Sequence, residues 1–145
     1  MSGSAHLAAT RLQLFYARQV HALNHGDFDA YGRTFTPGAR FVLSGRAQSL
    51  CGAEAIAAHS RALARARAAD GAVQRHHVTM TAVLAGPDGA LRARSATLIV
   101  TTGPYGVPQL TASTECEDVF EEYPGGLQIA ERRVLPDGAP RPATV

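Results

Sequence analysis

Two ionisable residues, His76 and Asp118, fall on the apolar side of segments with the alternation of β-strands. From His76 to Leu84 one parity holds His76, Val78, Met80, Ala82 and Leu84, and the other holds His77, Thr79, Thr81 and Val83. From Thr111 to Glu122, Asp118 shares its parity with Ala112, Thr114, Cys116 and Phe120, opposite Ser113, Glu115, Glu117 and Glu121. Successive strand side chains point to opposite faces, so both groups are expected to aim inward. A neutral imidazole is the side chain best suited to moving protons near neutral pH, and a carboxylate beside it fixes its tautomer and raises its basicity. An inward pair of this kind predicts a lined pocket with acid-base chemistry. Asp118 taken alone has a plainer reading, because a buried carboxylate must be paired, most often with an amide, a hydroxyl or an Arg that serves structure only.

The elements that would carry these groups follow from periodicity and punctuation. A first helix is predicted over residues 5–25, where Leu12, Phe15, Tyr16, Gln19, Val20 and Leu23 recur at three-and-four spacing. Tyr16 and Gln19 put two hydrogen-bonding groups on its inward stripe. Asn24-His25-Gly26 ends that helix, and Asp27 caps a short second one through Phe28, Tyr31 and Phe35, closed by Thr36-Pro37-Gly38. A short hairpin around Gly45 comes next, then an Ala-rich helix from Gly52 to about Ala69, with His59 at its surface or edge and Arg61, Arg65 and Arg67 on a solvated face. From Val73 the period changes, and strands are expected at about 73–85, 90–102, 108–122 and 127–135, joined by Pro- and Gly-rich turns that make them antiparallel.

At 145 residues with a net charge of +2, the chain is expected to form one domain, with loose ends at about 1–5 and 137–145. Its basic residues are all Arg and are dispersed, so no basic block points to nucleic acid. No stretch approaches the roughly 20 apolar residues of a membrane span, and residues 1–6 lack a signal-peptide pattern, so a cytoplasmic protein without membrane partners is expected. Cys51 and Cys116 are far apart and in no CxxC spacing, and are expected as free thiols. His21 and His25 have a metal-clamp spacing but no third ligand in register, so no metal is expected.

Several stretches resemble the SnoaL-like group of the nuclear transport factor 2-like superfamily, together with the related scytalone dehydratase type. They are Asn24 to Tyr31 with Phe35, Gly52 to Ile56 with His59, Arg75-His76-His77-Val78, and the closing run Gly126 to Val134. The resemblance extends from about Leu7 to Pro136. It implies an α+β fold in which three N-terminal helices pack in a curved, mostly antiparallel mixed sheet around a deep pocket. It also implies cofactor-free dehydration, cyclisation or isomerisation of a polycyclic or phenolic polyketide-type ligand, as in antibiotic biosynthesis.

In the dehydratase-like members a strand His works with an Asp near the end of the first helix. His76 matches that His, but the helix position here is Asn24, which can hydrogen-bond the ring and cannot stabilise an imidazolium by charge. Asp118 is therefore expected as the second catalytic group, ahead of Asp27 and Asp29. Phe15, Tyr16, Gln19, Asn24, Phe35, Phe41 and His77 are expected to bind substrate. The missing helix Asp keeps open a non-catalytic protein that binds and protects or steers a pathway intermediate, and an oxygenase partner subunit is a more distant option. A homodimer through the outer sheet face, with Leu91, Ile99 and Val119 on it, is expected from the fold's habit.

Overall fold

The structure is a computed structural model and describes residues 2–44 and 49–139. Its elements run α1 (Ser2–Asn24), α2 (Phe28–Gly32), β1 (Phe35–Leu43), β2 (Ser49–Cys51), α3 (Ala53–Ala69), β3 (Val73–Ala85), β4 (Leu91–Thr102), β5 (Pro108–Tyr123) and β6 (Gly126–Pro136). The six strands form one sheet in the order β2-β1-β6-β5-β4-β3. β1 and β6 are parallel, and the other neighbours are antiparallel. Three helices against a mixed sheet is the α+β cone that the sequence resemblance implies.

Local chemistry explains the boundaries. α1 starts at Ser2, earlier than residue 5. It ends in a Schellman closure, with Gly26 N–H donating to Leu23 O and Asp27 N–H to Ala22 O. The closure needs the left-handed backbone that Gly26 supplies at φ 76°. Asp27 then caps α2, its Oδ1 accepting from Ala30 N–H at 3.0 Å. Phe35 is not part of α2. It opens β1, and Thr36-Pro37-Gly38 lies within that strand, where the register against β6 shifts between Phe35 and Arg40. Such an irregularity is where a strand can hold a Pro that has no N–H to give. The turn at Gly45 lies outside the described residues, but the strands it would join, β1 and β2, pair antiparallel.

The buried face of α1 carries Leu12, Tyr16 and Gln19, and the main core adds Phe35, Ile56, Phe120 and Ile129. In β4 the inward parity is Ala93, Ser95 and Thr97, continued by Leu91 and Ile99 at its ends. Leu91 and Ile99 thus lie on the inner face, not the outer one. The outer face of β4 carries Arg92, Arg94 and Leu98 instead, and Arg94 bridges to Glu117 at 2.9 Å across the strands.

β3 keeps its alternation only as far as Thr79. Thr79 pairs with Ala96 and Ala82 with Arg94, so Met80 and Thr81 share one residue's worth of the partner strand. The bulge turns Met80 out to 84% exposure and leaves Ala82 exposed, contrary to the parity that begins at His76. Met80 has φ 52°, a left-handed conformation that costs a side chain with a Cβ roughly 1–2 kcal/mol. Because Met80 buries little, Met80→Gly is expected to raise stability by up to about 1 kcal/mol in a denaturant titration.

Candidate active site

The inward faces of α1, β5 and β6 meet at a buried ion pair. Arg132 on β6 donates from Nε to Asp118 Oδ1 and from Nη2 to Asp118 Oδ2, both at 2.8 Å. The Asp118 side chain is fully buried and that of Arg132 is 11% exposed. Tyr16 of α1 donates its hydroxyl to Asp118 Oδ2 at 2.6 Å, and Gln19 Oε1 accepts from Arg132 Nη2 at 2.8 Å. Gln19 is in turn held by donation to the Thr34 hydroxyl at 2.8 Å. The Arg132 guanidinium also lies over the Phe35 ring, 5.5 Å from its centroid.

A charge pair this deep persists only because its hydrogen-bonding capacity is met. Burial opposes the Arg132 charge, but Asp118 more than compensates and holds the guanidinium protonated well above its usual range. Burial first, and then the neighbouring Asp118 charge, push the Tyr16 phenol far above the ordinary tyrosine range, so it stays a donor.

Above this cluster is a cavity of about 260 Å³, slightly below the roughly 300–1,000 Å³ usual for small-molecule sites. Apolar walls come from Val20, Leu23, Phe41, Leu63, Val78 and Ile99. Polar groups on the same lining include Gln19, Tyr31, Ser60, Thr97, Cys116 and Arg132. Burial raises both the Tyr31 phenol and the Cys116 thiol, which keeps them neutral.

His76 stands on the β3 side of this cavity and is held by Asn24 at the last residue of α1. Asn24 Nδ2 donates to His76 O at 3.3 Å, and Asn24 Oδ1 accepts from His76 N–H at 2.9 Å. These two bonds fix which end of the amide is oxygen. The same Oδ1 lies 3.3 Å from His76 Nδ1, so the ring nitrogen there must be the donor and Nε2 is left with the free lone pair. Burial, then the positive charges of Arg67, Arg132 and His77, pull the imidazole down to about pKa 4. At neutral pH His76 is a neutral base with a set tautomer.

The expected site residues therefore divide. Gln19 and Phe41 line the cavity, whereas Tyr16 and Asn24 are not among its lining residues: Tyr16 holds Asp118, Asn24 holds His76, and both border the groove between α1 and β3. Asp118 is inward too, but its oxygens are taken by Arg132 and Tyr16, and among the described residues no hydrogen bond joins it to His76. Phe15 packs edge-on against Tyr16 and Phe120 in the core, outside the cavity lining. Phe35 is buried beneath Arg132 and borders a separate groove with α2 and α3. His77 has the opposite parity to His76, is exposed, and lies along the outer groove between α1 and β3. Lining residues without an expected role include Arg132, Tyr31 and Arg67, the last of which leaves the solvated face assigned to it. His59 also reaches the cavity edge.

Comparisons with known proteins bear on the family and the fold. The chain belongs to the SnoaL-like domain family, whose model matches residues 6–133. Its fold is the nuclear transport factor 2-like cone. Among solved structures it is similar to Aln2 from a Streptomyces species, at 31% identity and TM-score 0.80, covering 89% of this chain and 90% of that one. ActVI-ORFA from Streptomyces coelicolor is 26% identical with TM-score 0.81, over 89% of this chain and 96% of that one. A protein from Catenulispora acidiphila, solved in complex with S-DNPA, is 34% identical with TM-score 0.74, over 89% and 92% of the two chains. A comparison with curated proteins found no match. No helix among the described residues is long and apolar enough to cross a membrane.

Two measurements follow from the site's electrostatics. Removing one partner of the buried pair, as in Asp118→Ala, strands the other charge and is expected to cost about 3–5 kcal/mol in urea denaturation, most of it regained in Asp118→Leu with Arg132→Met. The folded chain keeps His76 neutral down to about pH 4, whereas the unfolded chain takes up its proton near 6.5. Between these values the unfolded state binds more protons, so stability falls as pH drops through this window, by at most about 3 kcal/mol from this group. His76→Gln is expected to remove that component of the acid sensitivity.

Proposed function

We propose that this protein is a cofactor-independent enzyme that moves protons on a small polyketide-type aromatic substrate, with His76 as the base. The observation that carries this reading is the Asn24 clamp, which sets the imidazole tautomer and leaves Nε2 free beside a part-apolar cavity. Membership of the SnoaL-like family and the similarity to Aln2 and ActVI-ORFA support the substrate class, and the Catenulispora acidiphila protein solved in complex with S-DNPA supports a ligand-binding cavity.

In this reading Nε2 takes a proton from a carbon next to a carbonyl, and the C–H electron pair moves into an enolate. Arg132 is used by Asp118, Gln19 and Tyr31, and the enolate oxygen takes an N–H of its guanidinium that these contacts leave over. In a dehydration, the enolate expels a β-hydroxyl, which leaves as water with the proton that His76 took. In a cyclisation, the enolate carbon attacks a second carbonyl, and His76 returns the proton to the new alkoxide. Asp118 is then a positioning residue that holds Arg132, and Tyr16 and Gln19 complete its shell. Thr97, Tyr31 and Phe41 shape the space around the ligand.

A non-catalytic carrier of a pathway intermediate is the second reading. It is favoured by Asn24, which offers the imidazolium no countercharge, and by a base as weak as one with pKa about 4. The two readings diverge in one variant. For an enzyme, His76→Ala lowers turnover by about 10²- to 10⁴-fold while ligand affinity stays within a few fold. Product formed at sub-stoichiometric wild-type protein refutes the carrier, and unchanged turnover in His76→Ala removes the enzyme reading. Asn24→Asp, which adds the countercharge, is expected to raise the His76 pKa in an NMR titration.

A further inference from the structure

Gln74, the second residue of β3, lines the cavity on the same parity as His76 and Val78. One oxygen of its amide group, Oε1, is buried and has no hydrogen-bond partner among the described residues. A buried acceptor left unmet costs free energy, and nearly all such groups in folded proteins are met. Its neighbours fix which end of the amide is the oxygen. Thr111 donates its hydroxyl to Ile99 O at 3.3 Å, a carbonyl that can only accept. The Thr101 hydroxyl, 2.8 Å from that of Thr111, must then give its own proton to Thr111. Its oxygen is left to accept, so the end of the Gln74 amide that faces Thr101, at a long 3.5 Å, is the NH2. One long contact holds the amide loosely and its last torsion is soft, so a modest rotation presents the oxygen to an occupant of the cavity.

Arg67 reaches the same lining from the last turn of α3. Its carbonyl accepts from Ala72 N–H at 3.2 Å, which folds the end of α3 back against the start of β3. Its guanidinium makes no hydrogen bond or ion pair with any described residue. This end of the cavity therefore offers an acceptor and a donor together. A carboxylate, ketone or ether oxygen meets Arg67 but sets a second acceptor against Gln74. A neutral hydroxyl meets both, giving its proton to Gln74 Oε1 and taking an N–H from Arg67. The opposite wall, around Leu23, Val78 and Ile99, is apolar and has no comparable demand.

We infer that Gln74 is a specificity-determining residue, whose Oε1 accepts a hydrogen bond from a neutral hydroxyl of the ligand at the α3–β3 end of the cavity. This inference rests on the small-molecule reading above and adds to it the group by which the ligand is recognised and the residue that recognises it. It also sets the ligand's direction. Gln74 and His76 stand two residues apart on one wall, a backbone step of roughly 7 Å. The anchored hydroxyl and the carbon that His76 deprotonates thus lie along one edge of the ligand, and a ligand whose hydroxyl is methylated loses its anchor.

The test uses 2-naphthol and 2-methoxynaphthalene as probes at neutral pH, where the naphthol keeps its proton, with binding to the full-length protein followed by calorimetry. Gln74→Met keeps the length of the side chain and removes the acceptor. It is expected to raise the Kd of the naphthol about tenfold and to leave that of the ether within about twofold. Gln109→Met, on the exposed start of β5, should change neither. In wild type, the Gln74 side-chain amide signals in a ¹⁵N NMR spectrum should move on addition of the naphthol and much less with the ether, a readout that needs no variant. If both Kd values change by one factor in Gln74→Met, or neither changes, or the amide signals move alike with both probes, the Gln74 assignment is overturned while an aromatic-binding cavity stays in place. If neither probe binds wild type, the small-molecule reading falls and takes the Gln74 assignment with it. Unchanged circular dichroism of each variant separates loss of recognition from loss of fold.

Discussion

The Asp118–Arg132 pair is the contact on which the arrangement of the interior depends. The two residues are direct cross-strand partners on β5 and β6, so the ion pair and the register of these strands specify each other. A slip of one residue in either strand would turn that strand's charge to the opposite face and leave its partner buried and unpaired. Tyr16 and Gln19 tie α1 to the same cluster, so one set of hydrogen bonds locates the helix over the sheet and fixes the floor of the cavity. Such a pair adds little net stability over apolar packing. Its value is geometric, since only one placement of helix and strands satisfies all its donors and acceptors.

That arrangement separates charge from chemistry. The one carboxylate at the cavity floor is committed to Arg132, and His76 is supported by a neutral amide instead. The imidazole is therefore positioned without being energised. An Asp at residue 24 would hold the ring and strengthen it together. With Asn24 the two effects are uncoupled, and the strength of the base depends on what charge the occupant of the cavity brings.

Much of the fold is legible in the sequence because its signals are local. Gly26 and Asp27 mark a helix end and a cap, and the four long strands announce themselves by alternation and by the turns between them. The inward aim of His76 and Asp118 follows from the same alternation. What alternation misses is the bulge. Counting in twos from buried Ile129 puts Glu131 and Arg133 inside, yet Ile129 pairs with Phe120 and Glu131 with Val119, which leaves Ala130 over and brings Arg132 inward. No residue type in that run signals the extra step, so the partner of Asp118 was hidden while Asp118 itself was visible. Arg67 escaped for another reason. A run of arginines on a helix looks uniformly solvated, and only the packing of α3 against the sheet distinguishes the one that meets the cavity.

The kink at Met80 bears on how molecules of this protein meet one another. β3 is the last strand of the sheet, and beyond His76, whose amide and carbonyl Asn24 caps, its edge is a row of backbone donors and acceptors on which a strand from another chain could template. A left-handed residue in the middle of that row breaks its repeat, so an incoming strand can match only one side of the break at a time. The same deviation that costs the folded chain some stability thus guards it against edge-to-edge polymerisation, and relieving the strain at this position trades one form of robustness for another.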